Sequence, residues 1–248
     1  MKPEKVIIYG ATGKLGSGIA SRLSSWFPLK NLLLSGRNPQ KLQELEALLQ
    51  SESKIGKISV FTKDLVSTAQ REENRQEINH ELGEDFHPDL VIFALGNHVK
   101  TVKGGVPRKF RDVFTVNGLV PLEESYYWSG KMKKGLIVFF SDAMLSNPLR
   151  DYSAYYCAKA ALEQMTKLLA FELAPQIRVN AIAPGIMNLK SKAASDAKTR
   201  WSSQVPLGRL GGEDKIYRAL KYMISEDYLS GEILRIDGAL HTNNFLSI

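Results

Sequence analysis

Val6-Ile7-Ile8-Tyr9 runs without interruption into Gly10-Ala11-Thr12-Gly13-Lys14-Leu15-Gly16 and then into Ser17-Gly18-Ile19-Ala20. The first four residues form a short apolar run of the kind a strand buried on both faces requires. The glycines that follow let the backbone turn sharply, and the residues after them have helical character. This order sets a helix N-terminus at the carboxyl end of a strand, where backbone N–H groups and the helix dipole favour a pyrophosphate. Glycine patterns are common by themselves; the strand before and the helix after give this one its weight.

Outward from that head the same alternation repeats. Apolar runs occur at Leu32-Leu33-Leu34, Ile58-Ser59-Val60-Phe61, Leu90-Val91-Ile92-Phe93, Leu136-Ile137-Val138-Phe139-Phe140, Ile177-Arg178-Val179-Asn180 and Ile233-Leu234-Arg235-Ile236. Between them lie amphipathic stretches such as 39–50 and 158–174. Strands separated by helices wind into a parallel sheet with right-handed crossovers. Seven runs predict an α/β fold: a doubly wound (Rossmann) seven-stranded parallel sheet with helices on both faces. No repeat or long Pro/Gly/Ser linker divides the 248 residues, so one domain over 1–248 is expected.

Composition narrows the function classes. The net charge is +7, but the bases are dispersed, with local groups at Arg108-Lys109-Arg111 and Lys131-Lys133-Lys134. Nucleic-acid binding calls for a concentrated basic stripe interleaved with aromatics, which the sequence lacks. A basic surface suits an anionic cofactor instead. No run approaches the roughly 20 apolar residues of a membrane span. The single Cys157 permits no internal disulfide, which points to a reducing compartment. The N-terminal residues enter the first strand directly and leave no room for a signal peptide. The expectation is a soluble cytoplasmic protein that binds neither nucleic acid nor membrane, with no metal site.

After the second strand the sequence reads Leu34-Ser35-Gly36-Arg37-Asn38. An NAD site places a carboxylate there, on the ribose 2′-hydroxyl; Arg37 suits a 2′-phosphate. Lys14 in the glycine loop adds a second positive charge, so NADP(H) is the expected cofactor. Asp64, before Leu65 at the end of the third strand, either meets an adenine amino group or caps the next helix.

The chemistry centres on Ser141-Asp142-Ala143-Met144 and Tyr152-Ser153-Ala154-Tyr155-Tyr156-Cys157-Ala158-Lys159. On a helix Tyr155 and Lys159 share one face. An ammonium beside a phenol favours phenolate and makes Tyr155 a proton donor near neutral pH.

With the head, Asp64-Leu65, Asn117, the Tyr155/Lys159 pair, Pro184-Gly185 and Ser230-Gly231-Glu232 to Asp237-Gly238 in order, the chain resembles the short-chain dehydrogenases/reductases over nearly its whole length. The resemblance implies Tyr155 as acid/base, Lys159 as its electrostatic partner and Asn117 on a water-linked proton relay. Gly10, Thr12, Gly13, Lys14, Leu15, Gly16, Arg37, Asp64, Leu65, Ala94, Gly96, Pro184 and Gly185, with Tyr155 and Lys159, are the candidate cofactor contacts.

Thirteen positions before the tyrosine, the family's usual catalytic serine is replaced by Asp142, with Ser141 one residue earlier. An Asp there, with Pro148-Leu149, Tyr152, Glu172-Leu173-Ala174-Pro175, Ile177-Arg178-Val179-Asn180 and Lys14, resembles the pteridine reductase branch. In that branch the Asp and Tyr protonate the pterin ring together while NADPH supplies hydride. A carboxylate beside a phenol suits a ring bearing N–H groups. Two alternatives stand: Asp142 only caps a turn, or a shifted Ser141 does the usual work.

Ser141, His98 and Trp201 are the candidate substrate residues, with His98 a planar ring able to stack. The segment 187–207 is expected to cover the substrate. Phe93-Ala94-Leu95-Gly96 replaces the family's Asn-Asn-Ala-Gly and alters the bonds that stiffen that strand end. Tyr9 is expected to pack internally, and Cys157 to be a packing residue turned away from the catalytic face. The leading expectation is an NADPH-dependent reductase of a pterin-like or other small carbonyl or imine substrate. Alternatives are a ketone or 3-oxoacyl reductase, a non-catalytic NADPH-binding regulator and, least, an extended epimerase or dehydratase, for which the chain is too short. A homo-oligomer, dimer or tetramer, is expected from the resemblance.

Overall fold

In the computed structural model, which describes residues 1–52, 55–100, 107–188 and 195–245, the glycine head lies at the middle of one seven-stranded sheet. The strands are β1 (Lys5–Tyr9), β2 (Asn31–Gly36), β3 (Lys57–Thr62), β4 (Leu90–Phe93), β5 (Gly135–Phe140), β6 (Ile177–Pro184) and β7 (Ile233–Ile236). Their order is β3-β2-β1-β4-β5-β6-β7. Every neighbouring pair is parallel; Ile8 sits between Leu34 and Ile92, and Val138 between Ile92 and Asn180. The order reverses between β1 and β4, which opens a crevice at the carboxyl ends of these two strands.

The helices are α1 (Lys14–Trp26), α2 (Pro39–Glu52), α3 (Thr68–Leu82), α4 (Pro107–Phe114), α5 (Val120–Ser129), α6 (Ser153–Glu172), α7 (Ser195–Ser202) and α8 (Glu213–Ser225). Ile7 and Ile8 are both fully buried, because helices cover both faces of the strand. On one face Ile8, Leu34 and Ile92 pack with Ile19 and Leu23 of α1, Leu42 of α2 and Ile216 and Leu220 of α8. On the other, Ile7, Val91 and Phe139 pack with Ile78 of α3, Trp128 of α5 and Leu162 and Leu169 of α6. Each such side chain contributes about 1.5–3 kcal/mol by leaving water.

Two polar clusters tie these layers together. Asn180 is fully buried in β6; its amide donates to Leu229 O (2.8 Å) and its Oδ1 accepts from Glu232 N (3.0 Å). Arg178 donates to Met223 O and Leu229 O, so β6 fixes the path from α8 into β7. Below the centre of the sheet, Tyr9 donates to Glu124 Oε2 (2.7 Å) and accepts from Trp128 Nε1 (2.8 Å). Glu124 is fully buried and paired with Arg75 (2.9 Å). Tyr9 thus packs internally as expected, and it also satisfies a buried carboxylate that no sequence motif announces.

α3 begins at Ser67, which accepts from Gln70 N, and ends at Gly83 with φ +83°, where a side chain would be strained. Of the segment 187–207 expected to cover the substrate, 189–194 lie outside the described residues. No helix among the described residues is long and apolar enough to cross a membrane.

Candidate active site

The glycine loop is closed by its own backbone. Gly10 N and Ala11 N donate to Ser35 O (2.9 and 3.0 Å), and Gly13 N donates to Gly10 O (3.0 Å). Gly10 has φ +79°, and a Cβ on it would lie 2.5 Å from Ala94 O. α1 then starts at Gly13 with no side-chain cap, which leaves its first N–H groups facing the crevice mouth.

A cavity of about 250 Å³ opens there, lined by Gly10, Thr12, Gly13, Gly36, Arg37, Lys63, Asp64, Leu65, Ala94, Leu95, Gly96 and Val116. Eight of these twelve positions are candidate cofactor contacts from the sequence; Gly36, Lys63, Leu95 and Val116 are not. A side chain at 36 would strike Thr12 (2.7 Å), a clash visible only once the loop is folded. The lining fits a dinucleotide: the backbone approaches closely at Gly10 and Gly13, and a Cβ at Gly96 would meet nothing within 4 Å. Arg37, exposed at the end of β2, makes no ion pair among the described residues.

The other expected contacts are placed differently. Lys14 lines a separate groove with Ser17, Gly18, Ser21, Leu45, Leu48 and Glu213. Leu15 and Gly16 shape the turn without lining the cavity. Pro184 closes β6, and Gly185 packs on the end of β7, where a Cβ would lie 2.6 Å from Asp237 Cα. Asp64 Oδ1 accepts from Val66 N (3.2 Å), an Asx turn at the cavity rim.

Asp142 and Ser141 part company. Asp142 Oδ2 accepts from the Tyr155 hydroxyl (2.7 Å), while its Oδ1 accepts from Met144 N (2.7 Å) and caps the 3-10 turn Ala143–Ser146. Capping and contact with the phenol therefore coexist. Ser141, 5% exposed, turns the other way and donates to Glu163 Oε1 (2.8 Å), whose Oε2 lies 3.5 Å from Arg235.

Lys159 is almost wholly buried; its Nζ donates to Phe140 O (2.6 Å) and Leu95 O (3.4 Å) and lies 5.8 Å from the Tyr155 ring centroid. Burial lowers its pKa to about 8, with Asp142 opposing. The phenol shifts in the direction opposite to the lowering expected from Lys159. Burial pushes the Tyr155 pKa well up, and the charge and hydrogen bond of Asp142 push it further, because the carboxylate is the closer charge. His98 stacks on Tyr152 (4.1 Å between centroids, planes 7° apart) and meets Tyr155 edge-on (4.6 Å, 79°). Burial lowers the His98 pKa, with Asp142 opposing.

Asn117 sits in a π-helical turn, Thr115–Leu119, between α4 and α5. Its amide donates to Val113 O (2.8 Å) and Asn97 O (3.3 Å), and its Oδ1 accepts from Asn97 N (3.4 Å). These bonds hold the altered strand end; Asn97 and Tyr152 are contributors the sequence reading did not single out as site residues. Trp201, in α7, makes no ring contact with Tyr155, His98 or Tyr152 among the described residues. Cys157 is exposed, not a packing residue, because its side of α6 faces outward.

The family model described as Enoyl-(Acyl carrier protein) reductase matches residues 32–241. The chain belongs to the short-chain dehydrogenase/reductase family. A short-chain dehydrogenase structure from Bacillus anthracis superposes with a TM-score of 0.79 at 25% identity, covering 96% of this chain and 97% of that one. A probable 2,4-dienoyl-CoA reductase of Bacillus subtilis is 24% identical over 99% of each chain. A dihydromonapterin reductase of Enterobacter is 28% identical over 44% of this chain and 45% of its own. As a short-chain dehydrogenase/reductase, the protein is an NAD(P)-dependent oxidoreductase.

Proposed function

We propose that this short-chain reductase uses NADPH to reduce a small substrate at a C=O or C=N bond, with Tyr155 as the proton donor. The observation that carries the reading is the 2.7 Å hydrogen bond from Tyr155 to Asp142, with Lys159 below it and the glycine cavity alongside. When bound, NADPH supplies the hydride; Gly10, Thr12, Gly13, Arg37, Asp64, Leu65, Ala94 and Gly96 would hold it. The absence of a carboxylate at the end of β2, and an Arg37 with no ion pair among the described residues, favour the 2′-phosphate.

Tyr155 presents the proton to the substrate atom that gains negative charge. A phenol that loses its proton beside an ionised carboxylate leaves two negative charges in one hydrogen bond. The Asp142–Tyr155 pair therefore acts as a unit: the phenol's hydrogen, donated to Asp142 Oδ2 in the structure, would turn from the carboxylate to the substrate atom. Lys159 keeps a positive charge beneath the pair, and the bonds between Asn117 and Asn97 keep the β4 end in place. The segment 187–207 would cover the substrate.

A ketone or 3-oxoacyl carbonyl fits this arrangement, as the likeness to a sorbose reductase of Schizosaccharomyces pombe, 24% identical over 96% of each chain, supports. Asp142 favours a second, narrower reading: a pterin-like ring whose N–H groups meet the carboxylate, with His98 and Tyr152 offering flat faces. The partial likeness to a dihydromonapterin reductase supports it. NADPH oxidation by the purified protein is expected with a panel of ketones, 3-oxoacyl thioesters and dihydrobiopterin, and Tyr155→Phe is expected to lower kcat at least ~100-fold while NADPH still binds. Turnover by Tyr155→Phe equal to the parent's would sink the mechanism. Tight NADPH binding with no turnover on any substrate would favour the non-catalytic regulator.

A further inference from the structure

Arg71, in the first turn of α3, is a buried cation that no step above uses: its side chain is 4% exposed. All three nitrogens of its guanidinium are engaged. Nη1 donates to Leu65 O (2.6 Å) and Val66 O (3.1 Å), Nη2 to Thr68 Oγ1 (3.0 Å) and Nε to Glu123 Oε2 (3.0 Å). Nη2 also lies 2.8 Å from the same Glu123 oxygen. A planar fork of fixed donors makes these contacts at once; a lysine ammonium has no such fork.

The two carbonyls belong to the turn between β3 and α3, and Asp64 and Leu65 of that turn line the glycine cavity. The turn is braced elsewhere too. Asp64 N donates to Gln70 Oε1 (2.8 Å), and Asp64 Oδ1 accepts from Val66 N (3.2 Å). Ser67, not Asp64, caps α3, so the Asp64 carboxylate stays at the cavity rim and not at the helix start. At the other end of the clamp, Glu123 belongs to α5, which continues from the π-helical turn carrying Val116, another lining residue. Arg71 therefore ties two walls of one cavity together. Arg75 and Glu124 already join α3 to α5 (2.9 Å), so the bonds to Leu65 O and Val66 O are what Arg71 adds.

We infer that Arg71, anchored by Glu123, is a positioning residue for cofactor selection: it holds Asp64-Leu65-Val66 in the shape that reads the adenine edge. The inference rests on the reading of this cavity as the NADPH site. A carboxylate only accepts hydrogen bonds, and adenine offers it an amino group where hypoxanthine has an oxygen. The turn therefore prefers adenine as long as Arg71 holds it.

The test compares binding of NADPH and of its hypoxanthine analogue to the full-length protein, followed by the fluorescence of the reduced nicotinamide. The parent is expected to bind NADPH at least about fivefold more tightly, the weight of one hydrogen bond to a charged group. In Arg71→Met the two affinities are expected to converge to within about twofold, the loss falling mainly on NADPH. Glu123→Gln keeps the size of the side chain and leaves Arg71 in place. It serves where Arg71→Met does not fold, and is expected to narrow the preference in the same direction. Variants that bind both dinucleotides more weakly but keep the parent's preference would assign Arg71 to stability alone and overturn the inference. So would a parent with no preference for adenine. A parent that binds neither dinucleotide would remove the NADPH reading itself, and the inference with it.

Discussion

Lys159 carries opposite consequences for folding and for chemistry. Its value of about 8 lies below the ordinary 10.5, and the gap corresponds to ~3 kcal/mol of burial cost to the charged form. Between about pH 8 and 10.5 the unfolded chain holds a proton that the folded chain has released, so this residue's contribution to stability rises with pH through that window. Over the same range the ammonium beneath the Asp142–Tyr155 pair is lost, so kcat is expected to fall above pH 8. Parallel pH series of urea unfolding and of turnover test this. Lys159→Met should lack the stability rise, and an identical slope in parent and variant would refute the assignment. The helical spacing that pairs Tyr155 with Lys159 could be read from the sequence. The direction of the phenol's shift could not, because it depends on a carboxylate thirteen residues away that closes to 2.7 Å only after β5 and α6 pack. Likewise Ser141 and Asp142 are equivalent candidates on paper, and alternation at the end of a strand sends one toward the phenol and the other toward Glu163.

At the scale of elements, the turn from β1 into α1 depends on contacts within itself. A Cβ on Gly16 would stand 2.3 Å from Gly10 O and 2.9 Å from Ala11 Cα, and backbone cannot move aside as a flexible side chain can. Gly16→Ala is expected to destabilise the protein by about 1–3 kcal/mol and to abolish NADPH binding; urea denaturation and nucleotide fluorescence would show both effects, and unchanged affinity would contradict them. All seven apolar runs became strands, and the helix expected to open at Tyr155 and continue through Ala174 runs over Ser153–Glu172. Runs buried on both faces are legible because their hydrophobicity needs no partner to be recognised. The π-helical turn at Thr115–Leu119 is not legible: an extra residue per turn leaves no periodic mark in five positions, and its purpose, seating Asn117 against Asn97, is a contact across the fold.

For the whole molecule, the outer surface of α5 and α6 remains apolar. Phe171 is 85% exposed and Leu168 51%, beside Tyr126, whose hydroxyl reaches Glu172 across the two helices. If the protein is the expected homo-oligomer, this surface is where copies meet. Phe171→Glu should then yield monomers in light scattering while leaving monomer stability within about 0.5 kcal/mol; an unchanged mass would place the contact elsewhere. Beneath the sheet, Tyr9, Arg75, Glu124 and Trp128 join β1, α3 and α5 through one buried carboxylate. Remove the phenol and Glu124 and Trp128 each lose a partner; remove the carboxylate and Arg75 and Tyr9 do. These four positions are therefore historically locked. A descendant can exchange them together for a wholly apolar set, but any route through one change at a time passes through a less stable ancestor.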